Sequence, residues 1–233
     1  MRIISVKYLR DFWVLNPDAE QPLKAWHEEA KAAVWQTPQD FKDRYRSASF
    51  LGNNRVVFNI KGNDYRLITA VAFRFEAVYI KFIGTHAEYD RVDARTLKWS
   101  SSMDIRPIRN EADYQAALKA VAPFFDEEPI AGSEDADRFE VLLALIQLFE
   151  AKNYPIDLTD PIEAIKFRME QQGLSVKDLE PFIGQSNRVY EVLSQKRPLT
   201  LRMIRRIHEG LGIPAEVLIR SSAAEDERFG FAA

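Results

Sequence analysis

Hydrophobic spacing in the first half of the chain changes from helical to strand-like. Apolar residues three and four positions apart predict a helix, and they are Leu23, Trp26, Ala30, Ala33 and Val34. Pro38 is expected to end either this helix or the loop after it. Runs rich in β-branched and aromatic residues then predict strands at 55–61, 65–73 and 77–84. Two helices followed by a three- or four-stranded antiparallel sheet predict an α+β domain.

The second half keeps a period near 3.6 residues, which predicts an all-α domain. The apolar positions fall into four sets: Tyr114, Ala117, Leu118 and Val121; Phe139, Leu142, Leu143, Ile146 and Phe149; Ile162, Ile165 and Met169; and Leu201, Ile204, Ile207 and Leu211. Helix caps are also recognisable. Asp160 before Pro161 predicts a helix start, Gly173 predicts its end, and Ser175 with Asp178 predicts a capping box.

A serine-rich stretch from Lys98 to Met103 separates these halves and predicts the domain boundary. Met103 directly after the serines resembles a former start codon, as if two reading frames had been joined. The predicted parts are an α+β domain at 1–98, a junction at 99–103, an acidic helical region at 104–160, a helical domain at 161–220 and a disordered tail at 221–233.

Composition is that of an ordinary globular protein, with 46% hydrophobic and 29% charged residues. We expect a cytoplasmic protein without a membrane partner, because there is no long apolar run, no leader peptide and no cysteine. Net charge is distributed in blocks, with +4 in residues 1–98, −8 in 103–160 and +3 in 161–215. This favours two polyanion-binding surfaces and an acidic region able to cover one of them, although chance variation gives the same pattern.

Residues Ser175 to Leu193 have helix-turn-helix spacing, with Gly184 in the turn. The apolar set is Val176, Leu179, Phe182, Val189, Val192 and Leu193. Polar and aromatic groups suited to base edges begin the second helix, at Gln185, Ser186, Asn187, Arg188 and Tyr190, and Lys196 and Arg197 follow for phosphates. The sequence predicts DNA binding here, although other helical proteins use such helix pairs without contacting DNA.

The order of helices and turns in residues 161–220 is similar to the Cro/C1-type domain of HigA antitoxins. One departure is Gln195, where many such domains have glycine after the recognition helix. The resemblance implies binding to operator DNA, and we expect a homodimer formed through the antitoxin half.

A polar surface is predicted at the first hairpin of the sheet. If Gly62 and Asn63 form a two-residue loop, Asn59 lies opposite Arg66 and Lys61 opposite Asp64, all on one face. The other face then carries the apolar residues Phe58, Ile60, Tyr65 and Leu67. On the next predicted strand Tyr79 and Lys81 alternate with apolar residues, and the strand runs into a segment that contains His86 and Tyr89.

These residue types fit RNA cleavage without a metal. His86 can exchange a proton near neutral pH, Lys61 and Arg66 can hold a phosphate, and a tyrosine can stack on a base or share a proton. The candidate RNA-binding residues are Asn59, Asn63, Tyr79 and Lys81. On chemistry alone, surface cations and a capping histidine would look the same. With three histidines, no cysteine and no ligand spacing, the sequence predicts neither a metal nor a cofactor.

The segments NIKGNDYRLI and VYIKFIGTHAEYD resemble the HigB family of the RelE toxin superfamily, over Ile3 to about Leu97. The resemblance implies a metal-free mRNA endonuclease that acts on ribosome-bound message. Carried over by position, it implies catalytic roles for Lys61, Arg66, His86 and Tyr89, with Asn59 and Asn63 supporting them.

HigB and HigA are ordinarily separate polypeptides, whereas both resemblances occur here in one chain. We therefore expect an mRNA interferase inhibited in the intact chain, by a toxin–antitoxin contact within the chain or between protomers. The alternative is a transcription regulator whose RelE-like domain is catalytically inactive and serves dimerisation or sensing.

Overall fold

The structure is a computed structural model that describes residues 1–52, 54–89 and 106–220. They form two compact units: residues 1–19 with 33–156, and residues 20–32 with the described residues from 157 onward. These units divide the chain differently from the predicted domains, since 20–32 groups with the second unit and the acidic helices group with the first. The predicted junction at 99–103 and the predicted tail at 221–233 lie outside the described residues.

Helices and strands are numbered along the chain. The first unit contains β1 (Arg2–Ile4), α1 (Lys7–Leu15), α3 (Pro38–Arg44), β2 (Ser49–Leu51), β3 (Arg55–Ile60), β4 (Tyr65–Ala72), β5 (Ala77–Thr85), α4 (His86–Tyr89), α5 (Glu111–Asp126) and α6 (Glu134–Asn153). The second contains α2 (Glu20–Ala32), α7 (Pro161–Gln172), α8 (Glu180–Ile183), α9 (Ser186–Leu193), α10 (Leu201–Leu211) and α11 (Ala215–Leu218).

The sheet has five strands in the order β1-β5-β4-β3-β2. The three predicted strands are confirmed as β3, β4 and β5, and they pair antiparallel. The prediction of a three- or four-stranded antiparallel sheet is wrong, because β1 adds parallel to β5 and β2 extends the other edge. Both extra strands have only three residues, too few to produce a recognisable alternation in sequence.

The hairpin between β3 and β4 sets the faces of the sheet. Asn59 lies opposite Arg66 as predicted, and the last ladder pair is Ile60 with Tyr65. Lys61 and Asp64 were predicted to form a further pair, but they belong to the turn, where the Asp64 amide donates to the Lys61 carbonyl at 3.1 Å. Lys61 adopts a left-handed conformation with φ +53°, which takes its side chain out of the alternation of the strand.

Pro38 was predicted to end the helix or the loop after it, and the second alternative agrees with the structure. Helix α2 already ends at Ala32, and Pro38 is the first residue of α3. Thr37 and Asp40 form a reciprocal capping box there, so the missing amide of proline costs nothing at this position. Val34, predicted on the helical face, is 70% exposed.

Helices α5 and α6 share one core with part of the sheet. The buried members are Ile4, Ala70, Ala72, Phe75, Ala77, Tyr79, Tyr114, Ala117, Leu118, Ala120, Val121, Ala122, Phe125, Ala136, Phe139, Leu142, Leu143 and Ile146. The apolar positions predicted for these two helices are therefore confirmed, with Phe149 partly buried at the end. The acidic region that contains the two helices covers a face of the sheet.

In the second unit the predicted helix caps are confirmed. Asp160 accepts from the amides of Ile162 and Glu163, Gly173 ends α7 with φ +66°, and Ser175 forms its box with Asp178. The apolar pattern in α10 is correct except at Leu201, which is 69% exposed while Met203 is buried.

A buried ion pair joins α2 to α7 inside this unit. The Arg168 guanidinium pairs with the Glu29 carboxylate, and both side chains are almost wholly buried. Burial lowers the pKa of Arg168, since the low dielectric disfavours its charge. Next to this pair, Thr159 donates to the Gln21 side chain at 2.9 Å.

One buried carboxylate, Glu150 of α6, fixes the turn between β1 and α1. It accepts from the amides of Ser5 and Val6 at 2.7 and 3.0 Å and from the Tyr114 hydroxyl at 2.5 Å. Ser5 has φ +74°, a strained value for a residue with a Cβ, which these bonds hold in place. Burial raises the pKa of Glu150 to about 7.

This raised pKa predicts a pH-dependent stability. The folded state holds the proton of Glu150 up to about pH 7 and the unfolded state only to about 4.5, so the associated stability is complete below pH 4.5 and falls as pH rises through 7. The change is on the order of 3 kcal/mol. Urea unfolding from pH 4.5 to 8.5 should show it in the wild type and a flatter profile in Glu150→Gln. Identical profiles would contradict it.

Candidate functional site

Three residues form a row across the hairpin end of the sheet. Asn59 on β3 pairs with Arg66 on β4, and Arg66 pairs with Gly84 on β5. Directly paired residues project from the same face, so Asn59 and Arg66 point to the same side. The row contains one amide, one guanidinium and a glycine, over which the Phe82 ring and the Glu88 carboxylate pack.

Arg66 is held firmly for a cation at the end of a hairpin. The residue is 8% exposed, and its Nη1 atom donates to the carbonyls of Asn63 and Tyr65 at 3.1 and 3.3 Å. Asn63 therefore supports the site through its backbone carbonyl. A guanidinium positioned in this way can present its remaining N–H groups to a phosphate in a fixed geometry.

The segment from Gly84 to Glu88 forms a compact support for α4. Glu88 accepts from the amide and the hydroxyl of Thr85, both at 2.8 Å, and Thr85 accepts from the Glu88 amide at 3.3 Å. This is a capping box. This capping box was not predicted, although the spacing Thr-x-x-Glu is its signature. This hydrogen bonding explains why Thr85 and Glu88 flank His86 in the sequence.

His86 and Tyr89 lie at the same end of the sheet as Arg66. The His86 amide donates to the carbonyl of Asp64 at 3.2 Å, which ties the start of α4 to the hairpin turn. The His86 side chain is exposed, and its ring centroid lies 6.4 Å from that of Tyr89. Tyr89 packs against Val57 and Ile68, which project from the same face as Arg66.

Lys61 was predicted beside Arg66, but its ammonium lies with Tyr65, whose side chain projects from the opposite face. Its Nζ contacts the Asp18 carboxylate, which also accepts from the Tyr65 hydroxyl at 2.7 Å. Asp64 lies 3.5 Å from the same ammonium. The hydrogen bond to Asp18 raises the pKa of Lys61, and that bond lowers the pKa of Asp18. The structure therefore does not bring Lys61 to Arg66.

Two predicted RNA-binding residues are buried instead. Tyr79 is 7% exposed and packs against Phe125 of α5, with ring centroids 5.2 Å apart. Burial raises the pKa of Tyr79. The Lys81 side chain is 3% exposed, and its ammonium donates to Asp126 at 2.6 Å. Tyr79 is a core residue in this fold, which corrects its prediction. Lys81 is held in an ion pair, so it could contact RNA only if Asp126 released it.

The sequence analysis also missed Arg55. It is 1% exposed and pairs with the same Asp126 oxygen as Lys81, at 3.0 Å. The available signal was its position four residues before Asn59, on the same face of the strand. Charged residues are almost never fully buried without a partner.

In the second unit, α9 packs on a hydrophobic core that it shares with the neighbouring helices. Leu179, Ile183, Val189 and Val192 are buried there, while Val176, Phe182 and Leu193 pack partly buried against them. Gln185 is the N-cap residue of α9, and the exposed residues include Gln185, Asn187, Arg188 and Tyr190, the last at 60%. The predicted groups are therefore exposed together at the start of one helix.

Two of the predicted DNA-binding residues are engaged within the fold. The amide of Ser186 donates to the Glu180 carboxylate at 3.0 Å, and its hydroxyl contacts the same group. Arg197 donates to Glu191 at 2.6 Å. Lys196 is exposed. Gln185, Asn187, Arg188 and Arg197 line one concavity together with Gly184 and Glu191.

Gln195 lies in the turn that follows the last residue of α9. The helix ends at Leu193, and Gln195 has φ +58°, with the Lys196 amide donating to the Glu191 carbonyl at 2.9 Å. This is the C-terminal arrangement in which a left-handed glycine is usual. Gln195 occupies the position of that glycine, and its Cβ makes the conformation less favourable.

Among the described helices none has both the length and the apolar composition to cross a bilayer. The described residues also contain no group of three or more His, Asp or Glu placed to hold a metal ion.

Comparison with known proteins places a family match in the first part of the chain. Residues 19–92 match the HigB_toxin family, described as the RelE-like toxic component of a toxin-antitoxin system. The mRNA interferase toxin HigB of Escherichia coli K12 is 28% identical over 92 residues, which is 39% of this chain and 88% of that protein. The mRNA interferases HigB of Escherichia coli O157:H7 and of Shigella flexneri match to the same extent.

Residues 19–92 thus carry a RelE-like domain of the HigB toxin type. This match includes the Asn59–Arg66–Gly84 row and α4. It ends at residue 92, so the resemblance of residues 161–220 to HigA antitoxins stays a prediction.

Gly84→Ala should disturb the candidate active site. A Cβ at this position would lie 2.4 Å from the Phe82 ring and 3.0 Å from the Glu88 carboxylate, so the ring and the cap of α4 must both shift. We expect a loss of about 1–3 kcal/mol in the free energy of unfolding, measured by urea titration. Gly52→Ala is the control, since its Cβ would meet nothing within 4 Å. Equal stability of the two variants would count against this packing.

Gln195→Gly should stabilise the second unit. The left-handed conformation costs a non-glycine residue about 1 kcal/mol, which glycine avoids. Thermal unfolding should therefore shift upward, while Gln185→Gly at the opposite end of α9 should not raise it. A lower midpoint for Gln195→Gly would show that the helix does not end in this way.

Proposed function

We propose that the chain is a toxin–antitoxin module in one polypeptide, in which the RelE-like domain is a metal-free mRNA endonuclease. The observation that carries the proposal is the position of Arg66, fixed between Asn59 and Gly84 at the hairpin end where His86 begins α4. This arrangement lies within the segment that matches the HigB family. The relatives named mRNA interferases support message as the substrate. We propose that cleavage takes place in the cytoplasm, on message bound to the ribosome.

The proposed reaction uses the 2′-hydroxyl of the RNA itself. Its oxygen attacks the adjacent phosphorus as its proton is removed, and the bond from phosphorus to the 5′-oxygen breaks as that oxygen is protonated. His86, exposed beside the site, performs proton transfer. Arg66 binds the phosphate as negative charge develops on its oxygens. Tyr89 stacks on a neighbouring base, and Asn59 supports the phosphate from the paired strand.

Lys61 has a conditional role in this mechanism. Its ammonium is held by Asp18 and Asp64 in this fold. It reaches a phosphate only if the RNA replaces Asp18 as its partner. Lys61→Ala should therefore impair cleavage less than Arg66→Ala.

The antitoxin role is assigned to residues 104–160 together with the helix-turn-helix domain. The acidic region supplies Asp126, which neutralises Arg55 and Lys81 on the sheet. We propose that this contact restrains the nuclease in the intact chain. The contact between the toxin and antitoxin parts then forms within one polypeptide, at the effective concentration that a covalent link provides.

A homodimer through α6 accompanies this proposal. The outer face of α6 carries the apolar residues Val141 and Leu148, which are 44% and 70% exposed. Two such faces packed antiparallel would place Asp137 of one copy near Lys152 of the other, so charge as well as apolar surface favours a second copy.

The second unit is proposed to bind operator DNA and repress the module's own transcription. Gln185, Asn187, Arg188 and Tyr190 would face base edges in the major groove, and Lys196 the phosphate backbone. Ser186 and Arg197 would contact DNA only after giving up their hydrogen bonds to Glu180 and Glu191. The alternative function, a regulator with an inactive RelE-like domain, shares this DNA contact and differs in lacking nuclease activity.

Cleavage of message RNA by the purified full chain tests the nuclease. We expect weak cleavage that falls about a hundredfold or more in His86→Gln and in Arg66→Ala, because each removes a group acting on the reacting phosphate. Arg46→Ala is the control, an exposed arginine that follows α3 and has no role in the proposed site.

The same variants can be followed in cells. Expression of residues 1–98 should stop growth. The same segment carrying His86→Gln should not stop growth, and neither should the wild-type segment when residues 103–233 are expressed with it. Two results together would favour the alternative, a regulator with an inactive RelE-like domain. The wild type and the two active-site variants would cleave RNA equally, and expression of residues 1–98 would not affect growth.

Operator binding is tested by Arg188→Ala in the full chain. Loss of a bidentate base contact should weaken binding to the chain's own promoter fragment about tenfold or more, with a steep salt dependence in the wild type. Arg202→Ala on α10 is the control, since that exposed arginine lies outside the predicted reading positions. No binding by the wild type at low salt would contradict the assignment.

A further inference from the structure

Two cations of the sheet converge on one carboxylate oxygen. Arg55 Nη2 and Lys81 Nζ lie 3.0 and 2.6 Å from Asp126 Oδ1. Both cationic side chains are more than nine-tenths buried, while Asp126 is 21% exposed. An oxygen held by two converging cations is in the position that a phosphate oxygen would take.

The sheet is shaped to bring these cations together. The pairing of β4 with β5 shifts between Ile68 and Thr69, so that Lys81 is the additional residue of a β-bulge between Ile80 and Phe82. Bulges reorient a side chain and are frequent beside functional sites. Here the bulge directs Lys81 to the oxygen that Arg55 contacts. Stability alone would be served as well by apolar residues, because burying charges costs about as much as their pairing returns.

Asp126 also lies where a helix least favours an acid. It is the last residue of α5, at the negative end of the helix dipole, and Glu127 and Glu128 follow it. Glu128 accepts from the amides of Phe73 and Arg74 at 3.0 and 3.3 Å. We call residues 126–128 the acidic latch, because they close over the sheet through these two sets of contacts.

We propose that Arg55 and Lys81 form a phosphate-binding subsite for RNA, and that Asp126 occupies it in the intact chain. Arg55, Val57 and Asn59 alternate on one face of β3, so the subsite and the Asn59–Arg66 row share that face. Arg55 and Asn59 are four residues apart, about 13 Å along the strand. The identification of the ligand as RNA rests on the proposed function. The contact of Asp126 with Arg55 and Lys81 does not depend on that function.

Removing the carboxylate should open the latch. Asp126→Asn leaves two buried cations close together without that anion, a state that is strongly unfavourable in a low dielectric. The closed arrangement then loses its advantage, and both cations become accessible to a polyanion. A single-stranded RNA would restore their charge balance through its phosphates.

The experiment measures RNA binding without cleavage. The full chain is titrated into a fluorescein-labelled, fully 2′-O-methylated 20-mer, which has no 2′-hydroxyl to attack, and anisotropy is recorded at several salt concentrations. Asp126→Asn should bind at least tenfold more tightly than the wild type. The slope of log affinity against log salt should steepen by about 1.4, since two further phosphates are neutralised and each contributes about 0.7 in a single strand.

Asp135→Asn is the matched control, because Asp135 is an exposed acid of the same region whose partner is Arg138. It removes the same charge and should change affinity less than twofold. The triple variant Asp126→Asn, Arg55→Gln, Lys81→Gln should return to wild-type affinity. A gain equal to that of Asp135→Asn, or one that survives in the triple variant, overturns the subsite.

A second variant covers the case in which Asp126→Asn does not fold. Glu128→Gln keeps an oxygen that can accept from the Phe73 and Arg74 amides, but it removes the negative charge. The two hydrogen bonds that hold the acidic latch should therefore become weaker without being lost. Hydrogen exchange at these two amides should accelerate, and RNA affinity should rise about threefold. Adding Lys81→Gln should cancel the gain in affinity. Faster exchange without tighter RNA binding contradicts the proposal, and so does unchanged exchange.

Failure of this inference is distinguishable from failure of the proposed function. If Asp126→Asn binds the methylated RNA tightly but does not cleave unmodified RNA, the subsite stands and the nuclease does not. If unmodified RNA is cleaved with dependence on His86 while the latch variants bind no better, the nuclease stands and the subsite does not.

Discussion

The register of the hairpin between β3 and β4 is the constraint on which the account depends. It places Asn59 opposite Arg66, and the pairing with β5 adds Gly84 to the row. A slip by one residue would exchange the two faces of the strand and turn Arg66 toward the apolar face. The burial of Phe58, Ile60 and Leu67 on the other face resists that slip. The candidate active site is therefore held by the core beneath it.

The acidic region of the chain acts on the same sheet through specific contacts. Its charge of −8 predicted that the region covers the basic surface of the first half, but the contacts in the structure involve only particular cations of the sheet. Asp126 neutralises Arg55 and Lys81, whereas Lys61 is paired with Asp18 and Asp64 from the toxin-like part. Glu150 has a structural role at the turn after β1. Under the proposed function, inhibition through this region would act on the binding of RNA along the sheet more than on the reacting residues.

Sequence alone was sufficient where a local pattern determines the structure. The three long strands, the pair of Asn59 with Arg66 and the caps at Asp160 and Gly173 follow from alternation and capping chemistry, which act over a few residues. The short β1 and β2 carry too few residues for a pattern, and burial of Tyr79 and Lys81 depends on α5, some forty residues away in sequence. The left-handed Lys61 shows the same limit, because one backbone angle moved its ammonium away from Arg66.

The most direct test of the central claim is the chemistry of the RNA ends. A synthetic RNA is incubated with the full chain in excess EDTA, beside an identical RNA with one 2′-deoxyribose at the cleaved position. The account predicts cleavage in EDTA, products with 2′,3′-cyclic phosphate and 5′-hydroxyl ends, and an intact deoxy-substituted bond. Products with 5′-phosphate ends, cleavage of the deoxy-substituted bond or complete inhibition by EDTA would contradict it.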